Sequence, residues 1–317
     1  MFKILSTAII PKECLKSLPE EFSVDIFREK RPMDYAEILE KVSTKSYDAI
    51  LCTYRDRIDG SLIKAAAGSR LNIIATMSTG TDHIDLSECQ KHGIEVYNVP
   101  NITTNAVADY GVALLLLGVR RLDQSLQQEP DQEPWYYMWN LSGSSLSKMT
   151  IGIVGLGNIG TAIAQRLTGF GSKLIYYSRH RKQNIEQEYG IEFRPFGELL
   201  QESDAVIASC SLNAKTRNLF SLDTFTKMKS SSIFINIARG GICNQDDLYQ
   251  ALNSQEISMA LLDVTNPEPL PPSHPLHQLE NCLIFPHIAT NVKNSRIDIC
   301  NLALQKIYNN IRDFQLK

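Results

Sequence analysis

The chain has no long uninterrupted hydrophobic run, no closely paired cysteines and no excess of basic charge, and each absence removes a class of function. Its most apolar stretch, Ala106 to Val119, is shorter than the roughly 20 residues a membrane helix needs, and Asp109, Arg120 and Arg121 interrupt or border it. That stretch reads as a buried core helix, with no role for a membrane. The seven cysteines are scattered, with no CxxC pair, and mostly sit in apolar runs. This favours reduced thiols in a reducing, cytoplasmic compartment over a disulfide framework or a zinc site, so no metal is expected. The formal net charge of -3 argues against a nucleic-acid surface, and an anionic ligand would need a local basic patch. The apolar N-terminal run Ile4, Leu5, Ala8, Ile9, Ile10 lacks a small-residue cleavage motif and leads into a mixed-charge segment, so it reads as a first strand rather than a signal peptide. No repeat or low-complexity segment is evident.

What is present is an ordinary globular composition, 43% hydrophobic and 21% charged, over 317 residues, more than one core usually organises. Short β runs at Lys3 to Ile9, Ser23 to Phe27, Ala49 to Thr53, Asn72 to Thr76 and Glu95 to Tyr97 are separated in several places by amphipathic segments. A second series holds Ile151 to Val154, Lys173 to Tyr177, Ala205 to Ala208, Ile233 to Asn236, Met259 to Leu262 and Leu283 to Phe285. Such alternation predicts parallel sheets, whose strands need crossover connections. The fold class expected is α/β: two Rossmann-like, doubly wound parallel-sheet domains with a cleft between them. The boundaries expected are 1–100 plus 291–317 for a substrate-binding, flavodoxin-like domain and 101–290 for the dinucleotide domain. A helix from Thr104 to Arg121 is expected to bridge them, and one from Val292 to Phe314 to return to the first. The polar stretch 122–147 carries Trp135, Tyr136, Tyr137 and Trp139 with no core pattern of its own, which points to burial against something else, such as a second subunit, with an aromatic flap on its own domain as the alternative.

Gly155, Gly157 and Gly160 form GxGxxG directly after a β run and before helically spaced Ile159, Ile163 and Leu167. Gly155 permits the tight turn and Gly157 the approach of a pyrophosphate. Gly160 permits close packing of helix on strand, and the helix N-terminus offers N–H groups to phosphate. Where an NAD-preferring site carries an acid, this chain has Ser178, followed by Arg179, His180, Arg181 and Lys182. Two unit charges about 4 Å apart interact by about 4 kcal/mol at an effective dielectric near 20, less with solvent exposure. Exchanging acid for base at this point therefore favours the 2′-phosphate of NADP, and NADPH over NADH.

Three polar residues follow predicted strands of the second series: Arg239, Glu268 and His287. Ligands of open α/β sheets bind outside those carboxyl ends. Reduction of a 2-keto acid needs a cation for the carboxylate and a proton donor for the carbonyl oxygen. Arg239 suits the first need with its planar fork, and His287 the second. An imidazole of ordinary pKa is only about a quarter protonated at pH 7, and a carboxylate partner raises that share, which gives Glu268 a purpose. Thr79 and Gly80 follow a predicted strand and can donate backbone N–H groups to a carboxylate, although a simple turn is equally compatible with the residues. His274 and His277 form an HxxH in a proline-rich loop with no third ligand, and His83 and His92 read as structural or exposed.

On these residues, and on Asn236 to Leu252 and Leu262 to Pro271 in particular, the chain from about Lys3 to Phe314 resembles the D-2-hydroxyacid dehydrogenases, on the side of the glyoxylate and hydroxypyruvate reductases. The resemblance implies NADPH-dependent reduction of glyoxylate and hydroxypyruvate to glycolate and D-glycerate. Arg239 would bind substrate, Glu268 would pair with His287 as proton donor, and Asp263 would lie by the substrate and nicotinamide. Thr79 and Gly80 match the substrate-binding turn, and Trp139 matches an aromatic that reaches the partner's pocket in a homodimer. Cofactor contacts are implied at Thr104, Gly157, Asn158, Ile159, Arg179 to Lys182, Ser211, Ile237 and Ala289. One departure stands out. The family's His-Ile-Gly-Ser-Ala-Thr is here His287-Ile288-Ala289-Thr290-Asn291-Val292, which predicts retained chemistry with shifted affinity or rate. A D-lactate or phosphoglycerate type of dehydrogenase is the nearer alternative, weakened by Ser178 and Arg179. A cofactor-sensing, corepressor-like binding protein is the other, and the expectation that no disordered tail follows Phe314 disfavours it.

Overall fold

Twelve strands, all pairing in parallel, form two sheets in the computed structural model, which describes residues 1–16, 18–126 and 142–311. The first sheet holds β1 (Phe2–Ser6), β2 (Phe22–Ile26), β3 (Ala49–Cys52), β4 (Ile73–Thr76) and β5 (Glu95–Tyr97), in the order β2-β1-β3-β4-β5. The second holds β6 (Thr150–Val154), β7 (Lys173–Tyr177), β8 (Glu192–Phe193), β9 (Ala205–Ala208), β10 (Ile233–Asn236), β11 (Met259–Leu262) and β12 (Cys282–Ile284), in the order β12-β11-β10-β9-β6-β7-β8. Both are doubly wound α/β sheets. Strand order reverses between β1 and β3 in the first and between β6 and β9 in the second, which is where such sheets open a crevice.

Every residue of β3, β4, β9, β10 and β11 is buried, as expected of central parallel strands covered on both faces. By contact the chain divides into two compact units, Met1–Thr103 with the segment from Asn291, and Thr104–Thr290. In the first unit, the helix Lys293–Ile311 lays Ile299, Cys300, Ala303, Leu304, Ile307 and Ile311 into a core shared with Ile4, Leu51 and Ile73. In the second, the helix Thr104–Val119 packs on the helix Asn158–Thr168 and on β10 and β11. Gly111 and Gly118 allow that approach: a Cβ at either position would lie 2.9 Å from Ile237 or Leu261 side chains. The opposite face of the sheet is filled by Phe220, Phe225 and Phe234 with Leu199 and Leu248.

Several sequence expectations move at their edges. The first strand stops at Ser6, and Ile9, 55% exposed, is not part of it. The helix expected to reach Arg121 ends at Val119, and Arg121 takes a left-handed φ of 51°. The two-residue edge strand β8 has no counterpart among the expected strands. Its Phe193 packs against Tyr176 and Tyr177, but two residues are too few to show an alternating pattern. Trp135, Tyr136, Tyr137 and Trp139 lie outside the described residues, as does the end of the C-terminal helix predicted to reach Phe314. Among the described residues, no helix is long and apolar enough to cross a membrane.

Candidate active site

The glycine turn lies at the strand reversal of the second sheet. Gly155 adopts a φ of 101°, and a Cβ there would strike the backbone of Cys210, in the loop after β9, at 2.6 Å. A Cβ on Gly160 would meet the carbonyl oxygen of Gly155 at 2.1 Å, so the helix Asn158–Thr168 can start this close to β6 only with glycine there. Gly157 differs, because nothing lies within 4 Å of where its Cβ would be. It caps the helix with no side-chain hydrogen bond. Its lack of a side chain therefore serves no internal packing and leaves open space at a helix N-terminus, a fit for a phosphate group.

Past β7, Ser178 donates its hydroxyl to the His180 carbonyl at 2.6 Å and closes a short turn. Arg179 is exposed on it and makes no ion pair among the described residues. Arg181 is committed elsewhere: its guanidinium binds both oxygens of Glu186 at 2.8–3.2 Å. Glu186 also accepts from the Tyr176 hydroxyl, to which the Lys182 N–H donates. The Arg181 contact holds Glu186 below the usual carboxylate range. The basic run is thus two things, a structural tie at Arg181 and cationic groups at Arg179 and Lys182.

The three polar residues past the neighbouring strands β10, β11 and β12 are held by the expected pairing of Glu268 with His287 and by further contacts that pattern reading did not find. After β10, buried Asn236 accepts from the Ala238 N–H at 3.1 Å and donates to the Arg239 carbonyl at 3.0 Å, which shapes the turn carrying Arg239. Gly240 lets that turn sit on Thr265, where a Cβ would fall 2.0 Å from backbone atoms. Gln245, in the helix Gln245–Asn253 capped by Asn244, exchanges two 2.7 Å hydrogen bonds with the backbone of Asn266 and so braces the loop that presents Glu268. After β12, His287 is 8% exposed, with Nδ1 2.7 Å from Glu268 Oε1. His287 sits at a φ of 56°, a left-handed conformation unusual for a non-glycine residue. Buried Asp263 accepts from the N–H groups of Ile288 at 2.8 Å and Ala289 at 3.0 Å. Burial pushes the Asp263 carboxyl up, and those two donors oppose the shift.

The remaining predicted residues are distributed as follows. Ile237 follows β10 and is buried, and Ala289 is buried among the apolar core of the second unit. Ser211, in the loop after β9, accepts through its carbonyl from Thr216. Thr104 begins the helix Thr104–Val119, and Asn158 and Ile159 begin the helix at the glycine turn. In the first unit, Thr79 and Gly80 follow β4. The Thr79 hydroxyl donates to the Val99 carbonyl, and Ser78 donates to that of Gly80. His274 Nδ1 accepts from the Leu276 N–H and caps a short turn. Asn236, Gln245 and the clamp by Asp263 are the residues that sequence reading missed or left without a mechanism. A buried polar residue at the end of an apolar strand was the available signal for Asn236.

An imidazole fixed through one nitrogen by a carboxylate past β12, an arginine turn past β10 and a glycine turn open at a helix N-terminus in the same sheet are groups of the kind that oxidoreductase chemistry uses. Residues 112–289 match the D-isomer specific 2-hydroxyacid dehydrogenase, NAD binding domain. The chain belongs to that family. It is 40% identical to the glyoxylate reductase/hydroxypyruvate reductase of Mus musculus, over 98% of this chain and 95% of that one. The Homo sapiens protein of the same name is 38% identical over the same shares. The crystal structure of the TT0316 protein from Thermus thermophilus superposes with a TM-score of 0.83 at 32% identity, covering 96% of this chain and 94% of that one.

Proposed function

We propose that this chain reduces glyoxylate and hydroxypyruvate to glycolate and D-glycerate with NADPH as the preferred cofactor. The observation that carries the reading is the 2.7 Å pair of His287 and Glu268 beside the Arg239 turn. When bound, the reduced nicotinamide supplies the hydride. Gly155, Gly157 and the helix start at Asn158, Ile159 and Gly160 hold the pyrophosphate, with Thr104, Ser211, Ile237 and Ala289 as further contacts. Arg179 and Lys182 beside Ser178 receive the 2′-phosphate. Arg239 binds the substrate carboxylate through its fork and draws electron density from the adjacent carbonyl. Thr79 and Gly80 supply backbone donors to the same carboxylate. His287, held through Nδ1 by Glu268, gives the Nε2 proton to the carbonyl oxygen as it gains negative charge. The imidazole is left neutral, its Nδ1–H still directed at Glu268.

The homodimer, with Trp139 contributed across it, belongs to the same proposal. Light scattering that returned a monomer would remove that part. A cytoplasmic location fits seven cysteines in thiol form, six of them buried.

Steady-state kinetics with glyoxylate, hydroxypyruvate and pyruvate, each with NADPH and NADH, tests the reading. Turnover of the first two with NADPH is the expected result, and Arg179→Ala is expected to raise the KM for NADPH about tenfold, a loss of about 1.4 kcal/mol, while sparing NADH. Arg181→Ala should change the preference less, because Arg181 is tied to Glu186. Preference of the unmodified enzyme for NADH would overturn the cofactor assignment.

A further inference from the structure

Asp263 lies one residue past β11 and is 1% exposed. Its carboxylate holds the two N–H groups that directly follow His287, at 2.8 and 3.0 Å. The chain at His287 is in a left-handed conformation, so this pair of bonds fixes one side of an unfavourable backbone while Glu268 fixes the ring. A third group approaches the same carboxylate. Tyr110, in the helix Thr104–Val119, packs edge-on against Phe285, with ring centroids 6.1 Å apart and planes at 88°. Its hydroxyl is buried and lacks a well-formed hydrogen bond among the described residues, although it lies near enough to the Asp263 carboxylate to interact with it. Buried polar groups are nearly always fully paired, so a phenol held this loosely calls for an explanation. Its charged neighbour is Asp263: burial, and then that charge, hold the phenol above its ordinary range.

We propose that Tyr110 is a positioning residue for His287, acting through Asp263. Its hydroxyl donates to the carboxylate when the loop takes its working position, which keeps Asp263 ionised and both backbone bonds intact. The inference rests on the reading of His287 as the proton donor. Burial favours the protonated form of Asp263, while the Ile288 and Ala289 N–H groups, the His287 charge and Tyr110 favour the ionised one. Protonation places a hydrogen on one carboxyl oxygen, and that oxygen ceases to be a good acceptor. One N–H is then released, and the loop that carries His287 loosens. Tyr110 delays this as pH falls.

Tyr110→Phe keeps the ring and its packing on Phe285 while removing the hydroxyl. Hydrogen exchange of the segment 287–290, compared at equal pH between the two proteins without ligands, is the decisive measurement. Exchange about tenfold faster in the variant at pH 5, with no difference at pH 8, is the expected result, corresponding to about one pH unit in the Asp263 titration. The acid limb of the kcat/KM profile should move to higher pH by the same unit with the plateau little changed. In an Asp263→Asn background the residue-110 substitution should have no effect on exchange. Equal protection at both pH values would overturn the proposal, as would a loss of protection that is the same at pH 5 and 8, which is the mark of a packing role. If the unmodified protein turned over no keto acid, the functional reading would fall, while the exchange comparison would still decide whether Tyr110 supports this loop.

Discussion

Each of the two sheets reverses its strand order once, and the two reversals differ in what closes them and in the helix that follows. In the first unit the loops after β1 and β3 are drawn together. The Thr7 N–H donates to the Leu51 carbonyl at 3.1 Å, and Asp56, 3% exposed, accepts from the Thr7 hydroxyl at 2.7 Å and from the Thr53 N–H at 2.6 Å. The helix that follows is a single turn, Lys12–Leu15. In the second unit the loops after β6 and β9 are tied as well, by the Ser209 N–H to the Val154 carbonyl at 2.9 Å and the Ser209 hydroxyl to the Gly155 carbonyl at 2.7 Å, but the chain then opens into an eleven-residue helix whose first turn is bordered by empty space at Gly157. The same topology gives a crevice tied through a buried carboxylate in one sheet and one that opens at a helix N-terminus in the other. A strand reversal is therefore a place where a ligand can bind, and the residues in its two loops decide whether one does.

The sharpest way to break the comparison is to remove the chemistry assigned to the second unit while leaving its open crevice alone. His287→Ala is expected to lower kcat/KM by about 10²–10⁴-fold with dinucleotide affinity unchanged, read by steady-state kinetics and by fluorescence titration. A loss of tenfold or less would mean that the proton comes from elsewhere. The second test separates the glycines of the open crevice from one another. Gly160→Ala places a methyl 2.1 Å from the Gly155 carbonyl oxygen, and chemical denaturation should show a loss of about 1–3 kcal/mol or more. Gly157→Ala meets nothing in the protein and should stay within about 0.5 kcal/mol of the original stability, yet bind dinucleotide at least about tenfold more weakly. Equal binding by the Gly157 variant would show that the open space serves no ligand.

Much of this is legible in the sequence, and the limits have physical causes. Alternating apolar runs locate eleven of the strands because a parallel strand covered on both faces must be apolar throughout; only β8, at an edge, gives no such signal. The glycine turn is legible because its requirements are local: Gly155 and Gly160 answer to backbone atoms within a few residues or in the adjoining loop. The basic run looks uniform in the sequence, yet Arg181 differs from Arg179 through Glu186, five residues on, a pairing that spacing permits but does not require. Asn236, Gln245 and Tyr110 escape sequence reading because what they do is set by groups they meet in the fold. The partners of Gln245 and Tyr110, Asn266 and Asp263, lie 21 and more than 100 positions away.

The smallest expected effect tests the tied crevice of the first unit. Burial, the leading cause, raises the Asp56 carboxyl above its usual range, while the hydroxyl and N–H donors of Thr7 and Thr53 pull it back. Since the folded-state pKa lies above the unfolded value, near 3.9, the folded protein binds more protons than the unfolded one between those two values. The contribution of Asp56 to stability is therefore fully present below about pH 3.9 and is lost as pH rises through its folded value. Other carboxylates act in the opposite sense. Asp25 and Glu202 are held low by Lys41 and Arg194 respectively, so their contributions are lost as pH falls. The total pH dependence thus mixes both signs, and only a difference between two proteins isolates Asp56. Asp56→Asn keeps an acceptor for Thr7 and cannot ionise. The stability of the unmodified protein minus that of the variant should then decline as pH rises from 4 to 8. A flat or rising difference in denaturation series across that range would show that the Thr7 and Thr53 donors offset the cost of burial in full, and the contrast between the two reversals would lose its electrostatic half.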